Sequence, residues 1–265
     1  MPPLRQPPAA RLLPVALLAS LVISHQCAAQ SLDARTAAGD AKAYFTAPLH
    51  WTERDWWRFA GALAVVGIAH EFDDDVRTHF ASDSEAALSS NDSHDARDLL
   101  PAALLVTGAW IYAARSPGPA RYGELGSMLE AGVFSVASTE ILKLSLGRER
   151  PDETADVDNW FSGGDSFPSI HSSAAFAIGT VFAESGDDDV RWVRRVVGYG
   201  VGGVTAYARV HDNAHWLSDV VAGAALGFAT AHFVMNRRES TAGHASIMLV
   251  PVEQGLMLSY SRPVQ

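Results

Sequence analysis

At 265 residues the chain can enclose one sizeable hydrophobic core, and 48% of it is hydrophobic. Its formal net charge of −10 makes it a poor partner for nucleic acid or for anionic membrane surfaces. Any anion it binds must be captured by a local cluster of Lys and Arg, against the overall field.

The N-terminal stretch MPPLRQPPAARLLPVALLASLVISHQCAAQ has a basic start (Arg5, Arg11), an apolar run and a small-residue exit. That is the layout of a secretory signal peptide cleaved near Ala29, with an uncleaved anchor as the alternative. Cleavage would remove Cys27, the one cysteine, and with it disulfides, thiol catalysis and cysteine-ligated zinc. It would also remove two arginines and no acid, taking the formal charge from −10 to −12. Residues 30–50 are small and polar and read as a leader.

Six apolar stretches follow, at about 54–70, 98–115, 126–146, 170–184, 192–209 and 216–236. Each is rich in Ala, Leu, Val and Gly, and most show helical rather than alternating spacing. Segments such as RSPGPARYG, GRERPDETADVDNWFSGGDSFPS, SGDDD and HDNA separate them. The acid run Asp73, Asp74, Asp75 reads as a solvated helix end rather than a cation site. Residues 245–260 differ, being β-branched and partly alternating with Pro and Gly between two halves, and predict a short hairpin or extended tail. The expected fold class is all-α: an up-down bundle of about six helices. A signal peptide over 1–29, one helical domain over 30–240 and a tail over 241–265 are expected.

The polar residues of interest gather at particular helix ends. Lys143 lies late in the third stretch, with Arg148, Arg150 and Pro151 just beyond it. Ser169 and His171 open the fourth, Arg209 closes the fifth, and His215 and Asp219 open the sixth. In an up-down bundle with short connections, these ends share one face. Lys143, Arg150 and Arg209 have no obvious acid nearby in sequence. With Ser169 and the N–H groups opening a helix, they make a pocket for a tetrahedral oxyanion. Two histidines and a carboxylate beside such a pocket point to phosphoryl chemistry. His211, His215 and Asp219, four apart, would share one face of a continuous helix, as metal-binding H-x3-H helices do. A divalent cation there would sit beside three positive side chains with few anionic ligands, so no metal is expected.

The segments KLSLGRERP (Lys143 to Pro151), PSIH (Pro168 to His171) and ARVHDNAHWLSD (Ala208 to Asp219) resemble the three motifs of the type 2 phosphatidic acid phosphatases. That superfamily (PAP2) includes the class A acid phosphatases and vanadium haloperoxidases. The resemblance spans roughly 126–236 and implies a fold and a set of roles. His215 would be the nucleophile, forming a phosphohistidine, and Asp219 would orient its ring. His171 would protonate the leaving alkoxide and then activate water. Lys143, Arg150 and Arg209 would hold the phosphate oxygens, with Ser169 and the backbone N–H of Ile170 completing the cradle. No cofactor would be needed. The sequence departs from the pattern at Ile170, where Gly is usual, and at Ala208, where Ser is usual. A position needing φ > 0 would strain a β-branched residue.

The implied substrate is a phosphorylated lipid or a small phosphomonoester. The rival readings are a non-catalytic phosphate- or lipid-binding envelope protein and a vanadate-dependent haloperoxidase. The apolar stretches are short for membrane crossing or carry Glu130, Glu140, Arg194 and Arg195. The favoured location is therefore exported, as a soluble or surface-associated periplasmic or envelope domain, with an integral membrane protein as the alternative.

Overall fold

The computed structural model describes residues 34–84, 100–115, 123–185, 188–242, 246–252 and 255–261. The signal-peptide segment 1–29 lies outside them. The described helices are α1 (Ala34–Thr46), α2 (Glu53–His70), α3 (Asp73–Ser84), α4 (Leu100–Arg115), α5 (Gly123–Leu146), α6 (Ile170–Glu184), α7 (Arg191–His211) and α8 (Leu217–Ala242). All six expected stretches are helical, within a few residues of their expected ends.

Two segments depart from the expectation. The leader reading of 30–50 is overturned over its described part: α1 and a 3-10 turn (Ala47–His50) occupy it. Tyr44 anchors α1. Its ring stacks on Phe134 with centroids 5.0 Å apart, and its hydroxyl lies 2.7 Å from Thr230 Oγ1. Arg237 Nε donates to Asp40 Oδ1 at 2.8 Å, tying α8 to the same helix. The second departure is α3, which begins at the acid run. Three carboxylates in a first turn suit the positive end of a helix dipole. The run is not merely a solvated end, because Asp73 is buried at 1% exposure.

Helix α6 is the central element, packed against α5, α7 and α8. Its small residues are the reason, since Ala174, Ala175, Ala177 and Ala183 are all buried. The core cluster joins Met128, Ala131 and Phe134 of α5 to Ala177 and Val181 of α6, Ala231 and Val234 of α8, and Leu105 of α4. Gly223 and Gly227 bring α8 against α6. A Cβ at Gly227 would stand 2.4 Å from the Ser173 carbonyl oxygen, so no side chain fits there.

The C-terminal tail is an antiparallel hairpin of β1 (Ser246–Val252) and β2 (Gly255–Ser261), with Val252 opposite Gly255. The hairpin was expected, but Pro251 lies inside β1 rather than between the halves.

The outer faces are unusually apolar. On α2, Trp56, Trp57, Leu63, Val65 and Ile68 are exposed; on α7, Trp192, Val196, Val204 and Tyr207 are. Two helices, Gly123–Leu146 and Leu217–Arg238, are long and apolar enough to cross a membrane, and about half of each is buried. Three of the four charges that weighed against lipid contact, Glu130, Arg194 and Arg195, are paired. Arg238 Nη2 lies 2.7 Å from Glu130 Oε2, Arg195 pairs with Glu184 at 2.7 Å, and Arg194 pairs with Glu124.

Candidate active site

The ends of α5 and α7 and the starts of α6 and α8 meet, as the up-down arrangement requires. The direct link is Ser169, the N-cap of α6, whose N–H donates to the Asp219 carbonyl at 3.0 Å. Four charged or titratable groups act on His215 from around it: Arg150, Arg209, Lys143 and His171. The residues singled out at three separated segments therefore converge.

Local chain geometry sets each position. Helix α5 stops at Gly147, which takes φ +51 and donates to the Lys143 carbonyl at 2.9 Å. The chain then folds over itself: Phe161 N–H bonds the Leu146 carbonyl at 2.8 Å, and Ser166 N–H the Arg148 carbonyl at 2.9 Å. This ordered loop delivers Arg148, Arg150 and Asp165. Lys143, at 6% exposure, donates to the Asp165 carbonyl. Burial, with Arg150 adding repulsion, pushes its amine down to about 8.

The HDNAH segment does not continue a helix, which corrects the shared-face expectation. Helix α7 ends at His211, Asp212 caps it, and Asn213 takes φ 55, a conformation Asn tolerates. Ala214 and His215 both donate to the Arg209 carbonyl, at 3.1 and 3.2 Å. His215 therefore sits in a tight turn that opens α8. His211 points elsewhere: its Nδ1 lies 3.0 Å from Asp212 Oδ1, and its side chain is 41% exposed. Asp219 lies in the first turn of α8, and its Oδ2 accepts from Trp216 N at 2.9 Å and from Ser166 Oγ.

His215 is 2% exposed. Its Nδ1 lies 3.5 Å from Asp219 Oδ2, too far or too misaligned for a hydrogen bond, and neither ring nitrogen has a protein partner among the described residues. With Nδ1 turned to Asp219, Nε2 is the nitrogen left for a ligand. Burial, reinforced by Arg150, Arg209, Lys143 and His171, holds the imidazole well below 6.5. The ring is therefore neutral near pH 7. Burial raises the Asp219 carboxyl above its ordinary value, opposed by the Arg148 guanidinium and the Ser166 hydroxyl.

The expected cations are not all without acids. Arg150 Nε donates to Asp165 Oδ1 at 2.8 Å and its Nη2 to Oδ2 at 3.3 Å, a pairing invisible in a linear reading. Ser169 Oγ accepts from Ser172 N at 3.5 Å, so this hydroxyl caps α6. Ile170 is the first residue of α6, and its φ is not positive, so the β-branched side chain brings no strain there. Its N–H is among those a helix start leaves without an intrahelical partner. No group of three His, Cys, Asp or Glu poised for a metal occurs among the described residues.

Sequence reasoning missed the buried layer behind Asp219. Arg148, at 1% exposure, donates from Nη1 to Asp219 Oδ1 at 2.7 Å and from Nη2 to Asp73 Oδ2 at 2.8 Å. Its guanidinium carbon lies 4.6 Å from the Trp160 ring and 5.0 Å from that of Trp216. His70 reaches Asp73 Oδ2 and Asp158 Oδ1, each at 3.0 Å. The one available signal was the second arginine, Arg148, two residues before Arg150 in the same segment.

Residues 124–241 match the family model described as the PAP2 superfamily. Over 103 residues the chain is 38% identical to the lipid A 1-phosphatase of Porphyromonas gingivalis, covering 39% of this chain and 19% of that protein. It is 31% identical over 103 residues to lipid phosphate phosphatase gamma of Arabidopsis thaliana, covering 36% of this chain and 45% of that one. The chain thus spans less than half the length of either relative. The crystal structure of a transmembrane PAP2-type phosphatidylglycerolphosphate phosphatase from Bacillus subtilis aligns with a TM-score of 0.39 at 19% identity, over 88% of this chain and 96% of that one.

Proposed function

Residues 124–241 match the PAP2 superfamily model, and from that likeness we propose that they form a PAP2-type domain and that the protein is a metal-independent phosphatase of phosphomonoesters borne by lipids. The observation that carries the reading is the buried, neutral His215, with Asp219 behind Nδ1 and Lys143, Arg150, Arg209 and His171 around it.

In the proposed reaction, Lys143, Arg150 and Arg209 bind the phosphoryl oxygens, where charge accumulates in the transition state. Ser169 and the Ile170 N–H support the same oxygens from the start of α6. His215 Nε2 attacks phosphorus in line; the N–P bond forms as the ester P–O bond breaks. His171 gives its proton to the leaving alkoxide. It then takes a proton from water, whose oxygen attacks phosphorus and releases inorganic phosphate and free His215. Asp219 holds the imidazole and offsets the positive charge it acquires. The cluster that depresses the His215 pKa also keeps it nucleophilic at neutral pH.

Two things support a lipid as the carrier of the phosphate: the apolar outer faces of α2 and α7 and the relatives named for lipid phosphates. They also support association with a lipid surface over a freely soluble domain. Ile170, whose negative φ leaves the cradle unstrained, gives no reason to prefer a non-catalytic protein.

The test is hydrolysis of an aryl phosphate and of phosphatidate in mixed micelles, with EDTA present, by the protein and by His215→Ala. Hydrolysis that survives EDTA and vanishes in the variant is the expected result. Loss to EDTA would refute metal independence, and activity on aryl phosphate alone would refute the lipid substrate.

A further inference from the structure

We propose that Arg148 and Asp73 are a positioning pair that sets the orientation and the charge of Asp219, and through it the state of His215. The proposal rests on the phosphatase reading for its kinetic consequence and on the structure alone for its geometry. Arg148 Nη1 occupies Asp219 Oδ1, so only Oδ2 is left to face His215 Nδ1. Ser218 locks the same arrangement: its N–H donates to Asp73 Oδ1 at 2.8 Å, its Oγ to Asp73 Oδ2 at 2.6 Å, and Arg148 Nη1 to that Oγ at 2.8 Å. Asp73, Arg148 and Asp219 have no side-chain exposure, so their charges act in a low dielectric.

Charge counting decides what the pair does. One arginine facing Asp219 alone would cancel the carboxylate that His215 needs. Two carboxylates around one guanidinium leave a net negative charge, which favours a proton on Nδ1 and therefore a free lone pair on Nε2. Asp73 comes from α3, outside the matched residues 124–241. The helical segment before the family region thus supplies a part of the site's electrostatics.

The experiment measures kcat and KM for an aryl phosphate in Asp73→Asn, Asp219→Asn and the double variant, beside the parent protein. Asp73→Asn keeps the shape of the side chain and removes its charge. We expect kcat to fall on the order of ten- to a hundred-fold, the range known for outer partners of metal-ligating histidines, with KM changed less than threefold. In the Asp219→Asn background the same substitution should change kcat less than threefold, because its target is gone. Additive effects in the double variant, or a kcat within threefold in Asp73→Asn, would overturn the proposal. A second readout is independent of turnover: 15N NMR of His215 should show the Nδ1–H tautomer dominant in the parent and depleted in Arg148→Lys and Asp73→Asn. If the parent is inactive on both the aryl phosphate and phosphatidate, the phosphatase reading falls, and the tautomer populations still decide the pair. An unchanged tautomer in both folded variants would refute it.

Discussion

His215 gathers around one ring the effects that make a histidine a nucleophile. Burial and the neighbouring cations disfavour the imidazolium, and Asp219 Oδ2 faces Nδ1 at 3.5 Å. The sign is testable. Arg150→Gln removes the largest of the cationic contributions, so the His215 pKa should move up towards 6.5 when followed by histidine NMR against pH. A pKa that stays put or moves down would show that the cations do not act on the ring. The same depressed pKa couples folding to pH. Above 6.5 the contribution of neutral His215 to stability is complete; it is lost as pH falls from there towards the folded-state value, because the unfolded ring takes up the proton first. Position was legible here: the eight expected residues lie at the four helix ends or on the loop that follows α5, and their roles are those proposed above. Asp165 and Asp73 were not, since a carboxylate's partner is set by packing and not by its neighbours in sequence.

Among the elements, α6 decides whether the site exists at all. It brings Ser169, Ile170 and His171 to the site only if α8 lies close beside it, and Gly223 and Gly227 allow that approach. Gly227→Leu should therefore cost about 1–3 kcal/mol or more through overpacking, read as a lowered Tm with phosphatase activity reduced in parallel. A Tm within 1 °C of the parent would mean that α8 is free to shift. The six apolar helices were legible because each carries a continuous apolar pattern between breakers. Helix α1 was not, because small and polar residues conceal a helix held by Tyr44 and Asp40. Helix α3 was missed for a related reason: an acid run reads as solvent-facing unless a buried arginine awaits it.

The whole molecule turns a broad apolar surface outward. Soluble monomers rarely expose contiguous apolar area beyond a few hundred Å², yet α2, α4, α5 and α7 all present large apolar side chains. Sequence reasoning discounted lipid contact because the stretches are short or carry Glu130, Glu140, Arg194 and Arg195; folding pairs Glu130, Arg194 and Arg195 with opposite charges. Trp56, Trp57 and Trp192 offer a direct probe. Brominated phosphatidylcholine vesicles should quench the tryptophan fluorescence of the full chain, and the protein should float with vesicles on a density gradient. A protein that stays at the bottom with unquenched fluorescence would count against lipid association.

Local pattern by itself determined where the main helices run, which residue types carry the chemistry, and in what chain order they come. Those properties depend on neighbours a few positions apart, through helical period, turn chemistry and motif spacing. Only the tertiary structure decided which carboxylate faces which cation, that HDNAH is a turn rather than a helix face, and that Asp73 reaches Arg148 from 75 positions away. Long-range pairing of buried charge follows from how helices pack, and no short window of residues contains it.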